Sequence, residues 1–261
     1  MTYLMEARDE SHRLIEQERS NPSHSRLLAA GLRPGARVVD VGCGAGATIP
    51  AMLELIGPSG RITAVEPNDD RLDDARKLTV DDRVAFVNGS LPDTKLPSAC
   101  ADFVWSQFVF EYLPEPAAGL EEMIRIARPG GKVVVSDIDG VGLGLWPVPD
   151  VVQAGFPRFL KALAKTGFDI EVGRKLFTMF HRAKLTQIRV HLSQLYLAAG
   201  TADRRLFNDW VQRFRVLAPI ATPEFGSEES YDLFCRAYLG AVAAPDTLKF
   251  AIVLVTEGTR P

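Results

Sequence analysis

Val38-Val39-Asp40-Val41-Gly42-Cys43-Gly44-Ala45-Gly46 constrains this chain more than any other stretch: an apolar run closes on an acid and then on glycines set two residues apart. The pattern is that of a buried strand running into a tight turn. Glycine reaches positive φ at little cost and lets backbone N–H groups approach a ligand with no Cβ between them. A helix opening at about Ala47 would add the positive end of its dipole. Taken alone, the same corner is equally well a structural strand–turn–helix connection with nothing bound.

A second apolar run, Arg61-Ile62-Thr63-Ala64-Val65-Glu66, follows the turn Gly57-Pro58-Ser59-Gly60. It ends in an acid about twenty residues after Gly46, the spacing at which a carboxylate grips ribose hydroxyls. Glu66 also reads as the acid of a helix entry, because Pro67-Asn68-Asp69-Asp70 comes next. The turn separates the candidate nucleotides. A dinucleotide fingerprint is G-x-G-x-x-G, whereas here the third glycine arrives one residue early and Asp40 stands two residues before Gly42. That carboxylate would repel a pyrophosphate and attract the α-ammonium of S-adenosylmethionine (SAM). Asp40 also suits a turn-capping role, accepting N–H bonds from the glycine loop.

Strands are expected at about 36–41, 61–66, 83–87, 101–106 and 132–138, separated by helical patterns, which together specify a parallel sheet with right-handed crossovers. Residues 1–31 read as one or two helices with a break at Asn21-Pro22. Past Asp137 the regularity fails in a Gly- and Pro-marked stretch from Asp139 to Pro147, followed by helices from about Pro149 to Lys165 and Gly173 to Ala183. Gln187–Leu192 and Leu248–Val255 alternate as two last strands. Between them lie about fifty residues, far more than a hairpin needs. Tyr196–Pro245 is expected to be largely helical and to pack over the site as a lid.

The chain resembles the class I SAM-dependent methyltransferases, in particular the subset holding the ubiquinone/menaquinone-type C-methyltransferases and many natural-product methyltransferases. The resemblance is carried by ordered motifs across residues 36–138. Val38 to Gly46 matches the glycine loop and Glu66 the ribose-binding acid. Val87-Asn88-Gly89-Ser90 matches the adenine loop, Asp102 to Leu113 the fourth-strand segment, and Ile126 to Asp137 the helix–turn–fifth-strand segment. It implies a Rossmann-like, seven-stranded, mostly parallel α/β sheet with the seventh strand antiparallel between the fifth and sixth. It also implies SAM as cofactor, leaving as S-adenosylhomocysteine. The cofactor residues so implied are Asp40, Gly42, Cys43, Gly44, Gly46, Glu66, Pro67, Asn88, Gly89 and Ser90. The backbone at Ser106 and Gln107 would hold the methionine moiety, and Gln17 would close over its carboxylate. Ser90 departs from the family, which carries an acid there. A hydroxyl accepts more weakly than a carboxylate, and Asn88 or Asp93 could substitute.

With 261 residues and 46% hydrophobic content, one elaborated domain is expected. Its parts would be an N-terminal helical cap (1–31), a SAM-binding core (32–138), substrate-lid insertions (139–185 and 194–247) and the last two strands (186–193 and 248–256). No apolar run approaches membrane-spanning length, and Met1 to Arg8 lacks the order of a signal peptide, so the expected location is the cytoplasm. Cys43, Cys100 and Cys235 form no metal-ligand spacing, and no metal is expected. A net charge of −3 gives no electrostatic footprint for nucleic acid. The expected partner is a small-molecule acceptor, with neither nucleic acid nor membrane; a homodimer is compatible with the chain.

Methyl transfer asks a protein mainly for alignment and exclusion of water. Phe108, Tyr112, Asp139, Trp146, Phe177 and Tyr196 are the candidate substrate contacts, Phe108 and Tyr112 lying just after the fourth strand. His181 and Glu111 are the candidate bases, and His191 and Asp139 are weaker ones. Two further readings stay open: a SAM-binding protein without transfer (cyclase, scaffold or regulator), and a nicotinamide oxidoreductase, against which Asp40 and the glycine spacing stand.

Overall fold

The structure, a computed structural model, describes residues 10–261; the helical expectation for residues 1–9 lies outside them. Two helices, α1 (Glu10–Ser20) and α2 (His24–Ala29), meet at the expected Asn21-Pro22 break. Strand and helix then alternate through β1 (Arg37–Val41), α3 (Ile49–Ile56), β2 (Arg61–Glu66), α4 (Asp69–Leu78), β3 (Val84–Asn88) and β4 (Ala101–Gln107). A 3-10 turn (Phe110–Tyr112) leads into α5 (Pro116–Ile126), β5 (Ala127–Trp146), α6 (Asp150–Lys165), α7 (Val172–Arg182) and β6 (Thr186–Ala199). The chain closes with α8 (Arg204–Phe225), α9 (Glu228–Ala243) and β7 (Leu248–Thr259).

The seven strands form one sheet in the order β3-β2-β1-β4-β5-β7-β6. From β3 to β5 every neighbouring pair is parallel. β7 runs the other way: Arg260 bonds Gly130 and Gly131 near the start of β5, while on the β6 side Thr259 lies by Thr186 and Thr247 by Gly200. The expected α/β sheet, with its antiparallel seventh strand between the fifth and sixth, is the observed one.

The described residues divide into two compact units. The first, residues 10–139, 171–193 and 253–261, is α/β. Alternate residues of its central strands, Val39, Val41, Val65, Val133 and Val135, share a buried cluster with Leu120 and Met123 of α5 and with Val172, Leu176 and Phe180 of α7. The intervening residues Val38, Ile62, Ala64, Phe103, Trp105 and Val134 are buried as well, so both faces of the sheet are covered, as parallel strands require. Helix α7, expected in a lid insertion, therefore belongs to the α/β core.

The second unit, residues 140–170 and 194–252, holds α6, α8 and α9 around an aromatic cluster. Trp210 and Tyr238 have ring centroids 4.6 Å apart, Phe214 and Tyr238 5.3 Å, and Phe159 and Phe234 5.6 Å. The buried hydroxyls are satisfied: Tyr231 donates to the Phe214 carbonyl at 2.8 Å and Tyr238 to that of Gly142 at 3.2 Å. The stretch after Asp139, expected to be irregular, is instead the continuation of β5, and Tyr196 to Ala199, expected to open the helical segment, extend β6. Gly142 shows why glycines recur there: it sits at φ 86°, and a Cβ on it would lie 2.6 Å from Trp210 Cη2.

Candidate functional site

The turn after β1 has the conformation its glycines suggest, with φ of 78° at Gly42, 54° at Gly44 and 77° at Gly46. The space beside them is taken by the protein itself. A Cβ on Gly42 would run into Val109 Cγ2, one on Gly44 would lie 2.9 Å from Leu14 of α1, and one on Gly46 3.0 Å from Ala75 of α4. The glycines thus bring α1, α4 and the loop after β4 onto the turn, rather than simply baring backbone to a ligand. The Gly42 and Cys43 amides donate to the Val65 carbonyl at 2.8 and 3.0 Å, which ties the turn to the end of β2. Helix α3 opens at Ile49, slightly later than expected. The Cys43 thiol is buried, and burial together with Asp40 and Glu66 pushes its pKa up, which disfavours the thiolate.

Glu66 holds the turn from the other side. Its Oε2 accepts the Gly44 N–H at 3.1 Å, while Oε1 accepts the Asn68 N–H at 3.2 Å and Arg71 Nε at 2.9 Å. Asn68 caps α4 by accepting the Arg71 N–H at 3.0 Å, which carries the Arg71 side chain back over Glu66. The two roles read for this acid, nucleotide ligand and helix-entry acid, are therefore compatible. A carboxylate has acceptor sites for about four bonds, and these three contacts fix its position.

Asp40 is buried with a carboxylate oxygen, Oδ2, that has no hydrogen-bond partner. No amide of the glycine turn donates to it among the described residues, contrary to the turn-capping reading. Burial raises its pKa from 3.8 to about 7, with Glu18 and Glu66 adding to the rise. An orphaned buried carboxylate is costly unless a cation meets it. A ligand ammonium supplies that cation and a pyrophosphate does not.

On the next strand, Trp105 pairs with Asp40 in the parallel register. Its indole Nε1 and the Ser106 and Ser136 hydroxyls are buried without partners. Beyond them Phe108 adopts φ 56°, a conformation uncommon for a non-glycine residue and concentrated at functional corners. The 3-10 turn that follows is fixed from β5: Asp137 Oδ2 accepts the Phe110 and Glu111 amides at 2.9 and 3.4 Å. At the end of β3, Asn88 Nδ2 donates to Asp69 Oδ1 at 2.6 Å and to the Pro67 carbonyl at 3.3 Å. Ser90 and Asp93 exchange backbone hydrogen bonds across a tight turn beside buried Gly89. The carboxyl ends of β1, β2, β3 and β4 thus collect one orphaned acid, one clamped acid and a polar β3 rim, the place where open α/β sheets bind ligands.

Residues 39–135 match the protein family described as a methyltransferase domain. The matching stretch runs from β1 into β5. A demethylmenaquinone methyltransferase from Clavibacter sepedonicus is 30% identical over 131 residues, which make up 50% of this chain and 50% of that protein. Another from Staphylococcus aureus is 27% identical over 196 residues, 70% of this chain and 81% of that protein. The chain thus spans half the length of the first relative. Among solved structures, a SAM-dependent methyltransferase from Aquifex aeolicus superposes with a TM-score of 0.53 at 22% identity, covering 70% of this chain and 89% of that one, and shares the fold.

Several expected residues stand elsewhere than the sequence suggested. Gln17 Oε1 accepts from Arg13 at 2.9 Å, and it is Leu14 that meets the glycine turn. His181 is exposed, and it lies at the far end of the domain. Helix α7 starts beside Ile138 and Asp139 and ends where Phe180 packs on Gly258, next to Glu257, the partner of Lys132 at the start of the central stretch of β5. So α7 runs antiparallel to β5, and its last turn reaches the amino ends of the parallel strands. His191 pairs with Glu257 at 3.0 Å at that same end. Asp139 is engaged as a fork by Arg174, at 2.8 Å from Nε and 3.0 Å from Nη2, which makes it a poor base. Phe177 is exposed on the outer side of α7, and Glu111 is buried in the 3-10 turn. In the helical unit Trp146 is 72% exposed, while Tyr196 is half-buried beside Trp210 and Tyr238 and its pKa is raised by desolvation. Phe108 and Tyr112 remain at the β4 corner, both partly exposed.

The sequence reading missed Arg26. It is 3% exposed, and its guanidinium donates from Nη2 to Gln107 Oε1 at 3.3 Å. The signal was present: Ser23, Arg26, Leu27 and Ala30 are all buried at i, i+3, i+4 and i+7, so an arginine occupies the inward stripe of α2.

Proposed function

We propose that this protein transfers the methyl group of SAM to a small organic acceptor, at oxygen or carbon. The observation that carries the reading is the buried, unpartnered carboxylate oxygen of Asp40 beside the glycine turn. Asp40 would hold the α-ammonium, Glu66 the ribose, and the turn from Gly42 to Gly46 the intervening backbone. Asn88, Gly89 and Ser90 would border the base, with Pro67 beside them, and Ser106 and Gln107 the methionine chain. When bound, SAM supplies an electrophilic methyl group on sulfur. The chain's own work is then to align the acceptor near Phe108 and Tyr112 and to keep water out.

The relatives named for demethylmenaquinone support a small organic acceptor, and the natural-product methyltransferases resembled in the sequence point to the same class. Localisation in the cytoplasm belongs to the same reading; no helix among the described residues is long and apolar enough to cross a membrane. A second reading, a SAM-binding protein without transfer, is favoured by two observations: His181 lies at the opposite end of the α/β unit, and Asp139 is held by Arg174. Calorimetric titration with S-adenosylhomocysteine and with NAD tests the first step. Micromolar binding of the former alone is expected; binding of NAD alone would reject the proposal. Screening acceptors with labelled SAM then separates transfer from binding without turnover.

A further inference from the structure

We propose that the α/β unit binds a small multivalent anion, phosphate or pyrophosphate, at the amino ends of its parallel strands, between Arg33, Lys132, Arg189 and His191. The site lies away from the carboxyl ends of β1 to β4 and does not depend on the cofactor reading. Lys132 comes from β5, Arg189 and His191 stand two apart on one face of β6, and Arg33 lies on the connection between α2 and β1. The sheet order brings the strands together, because β7 runs between β5 and β6. Glu257 of β7 pairs with Lys132 through Oε2 and with His191 through Oε1, the latter at 3.0 Å. The connection joins them: a Cβ on Gly31 would lie 3.9 Å from Lys132 Nζ, and Arg33 follows two residues later.

The charges in this cluster do not balance. Glu257 is 1% exposed, and Lys132 and His191 already engage both of its oxygens. Arg33 and Arg189 are exposed, and neither pairs with an acid among the described residues. Their charges still reach the cluster: Arg189 acts on both Lys132 and His191, and Arg33 on Lys132. Burial, then Arg189 and Lys132, hold the His191 imidazole below its ordinary value, the response to an excess of positive potential. The imbalance continues at the start of β4, where Arg37 and Arg128 share Asp102 at 3.2 and 2.5 Å. The whole chain carries a net charge of −3, so the excess is local. Exposed arginines alone would be an ordinary solvated face. Here half-buried Lys132 and His191 lie beneath them, so donors are available at two depths. Guanidinium forks match phosphate oxygens in pairs and the ammonium adds a point charge, a donor set that a univalent ion would only partly use.

The test adds inorganic phosphate or pyrophosphate to the full chain at an ionic strength held constant with sodium chloride. Proton NMR follows the His191 imidazole, identified as the histidine signal missing from His191→Gln. Pyrophosphate is expected to shift that signal saturably, with a dissociation constant below about 1 mM, and to raise the imidazole pKa; phosphate should bind about 10-fold more weakly. Arg33→Gln combined with Arg189→Gln should weaken pyrophosphate binding by about 10-fold or more and remove the rise in melting temperature it causes. Arg236→Gln, an exposed cation of the helical unit, should change neither. Urea unfolding establishes that each variant is folded, and Arg189→Gln alone carries the comparison if the double variant is not. A His191 signal that responds to pyrophosphate no more than to chloride would overturn the proposal, as would undiminished affinity in the arginine variants. Competition between pyrophosphate and S-adenosylhomocysteine would overturn it too, by placing the ion at the carboxyl ends of the strands.

Discussion

The two units of this chain treat buried polarity in opposite ways. In the helical unit the buried tyrosines each donate to a backbone carbonyl, and no described residue there leaves a buried side-chain nitrogen or oxygen without a partner. In the α/β unit Asp40, Trp105, Ser106, Ser136 and Arg26 have such atoms, as do Thr79, Glu111 and Thr256, and Asp40, Trp105, Ser106 and Ser136 lie toward the carboxyl ends of β1, β4 and β5. A satisfied aromatic cluster is what packing for stability looks like. Orphaned polar atoms are tolerated where a ligand completes them, and stability is forgone to keep them. The difference supports the proposed site in the α/β unit without reference to any relative.

Mutations can break this contrast. The largest effect is expected at Trp210, 4% exposed in the aromatic cluster: Trp210→Ala should lower the unfolding free energy by about 3–5 kcal/mol in denaturant titrations. A loss under 1 kcal/mol would mean the cluster is not what holds its unit together.

Asp40 should behave the other way round. Its carboxyl is raised from 3.8 to about 7 in the fold, so between those values folding takes up a proton. The contribution of this acid to stability is full below the unfolded value near 4 and is lost as pH rises to about 7. Asp40→Asn should therefore stabilise the protein at pH 8, on the order of 2–4 kcal/mol, and flatten the pH dependence of its melting temperature. Asp137, likewise raised to about 7, would leave a residual slope. The same substitution should weaken S-adenosylhomocysteine binding roughly 100-fold by loss of a charged hydrogen bond. In wild type that affinity should rise from pH 6 to pH 8 as Asp40 ionises, with proton release detectable in buffers of different ionisation enthalpy. Equal affinity at both pH values would remove Asp40 from the site.

Glu66→Gln should act less strongly, since an amide keeps one acceptor for Gly44 or Arg71 but not both oxygens. A 10- to 50-fold weaker S-adenosylhomocysteine affinity is expected, about 1.5–2.5 kcal/mol, with a stability loss of about 1–2 kcal/mol from the clamp. Were stability alone to change, the acid would be a structural clamp and no ligand group. The smallest effect belongs to His181→Ala, which should leave binding unchanged and stability within about 0.5 kcal/mol. A large loss of turnover in that variant would contradict the antiparallel course of α7.

Much of the local structure at the proposed cofactor side was legible because its signals are local. Positive φ at Gly42, Gly44 and Gly46, the end of β2 at Glu66 and the cap at Asn68 each follow from a few neighbouring residues. The substrate side was not. Periodicity places His181 and Phe177 on a helix, but only the packing of Val172, Leu176 and Phe180 on β5 decides which side faces solvent and which end of the sheet the last turn reaches. Asp139 looked available until Arg174, far along the chain, closed on it.

By itself the sequence determined the alternation of strand and helix, the glycine turn and the acids that end β1 and β2, because short-range sterics and hydrophobic period govern those. Tertiary structure alone decided that β5 continues past Asp139, that Asp40 stays unpartnered and that Arg26 turns inward toward Gln107. These depend on contacts between residues distant along the chain, and on the free energy of burying charge, which no local pattern encodes.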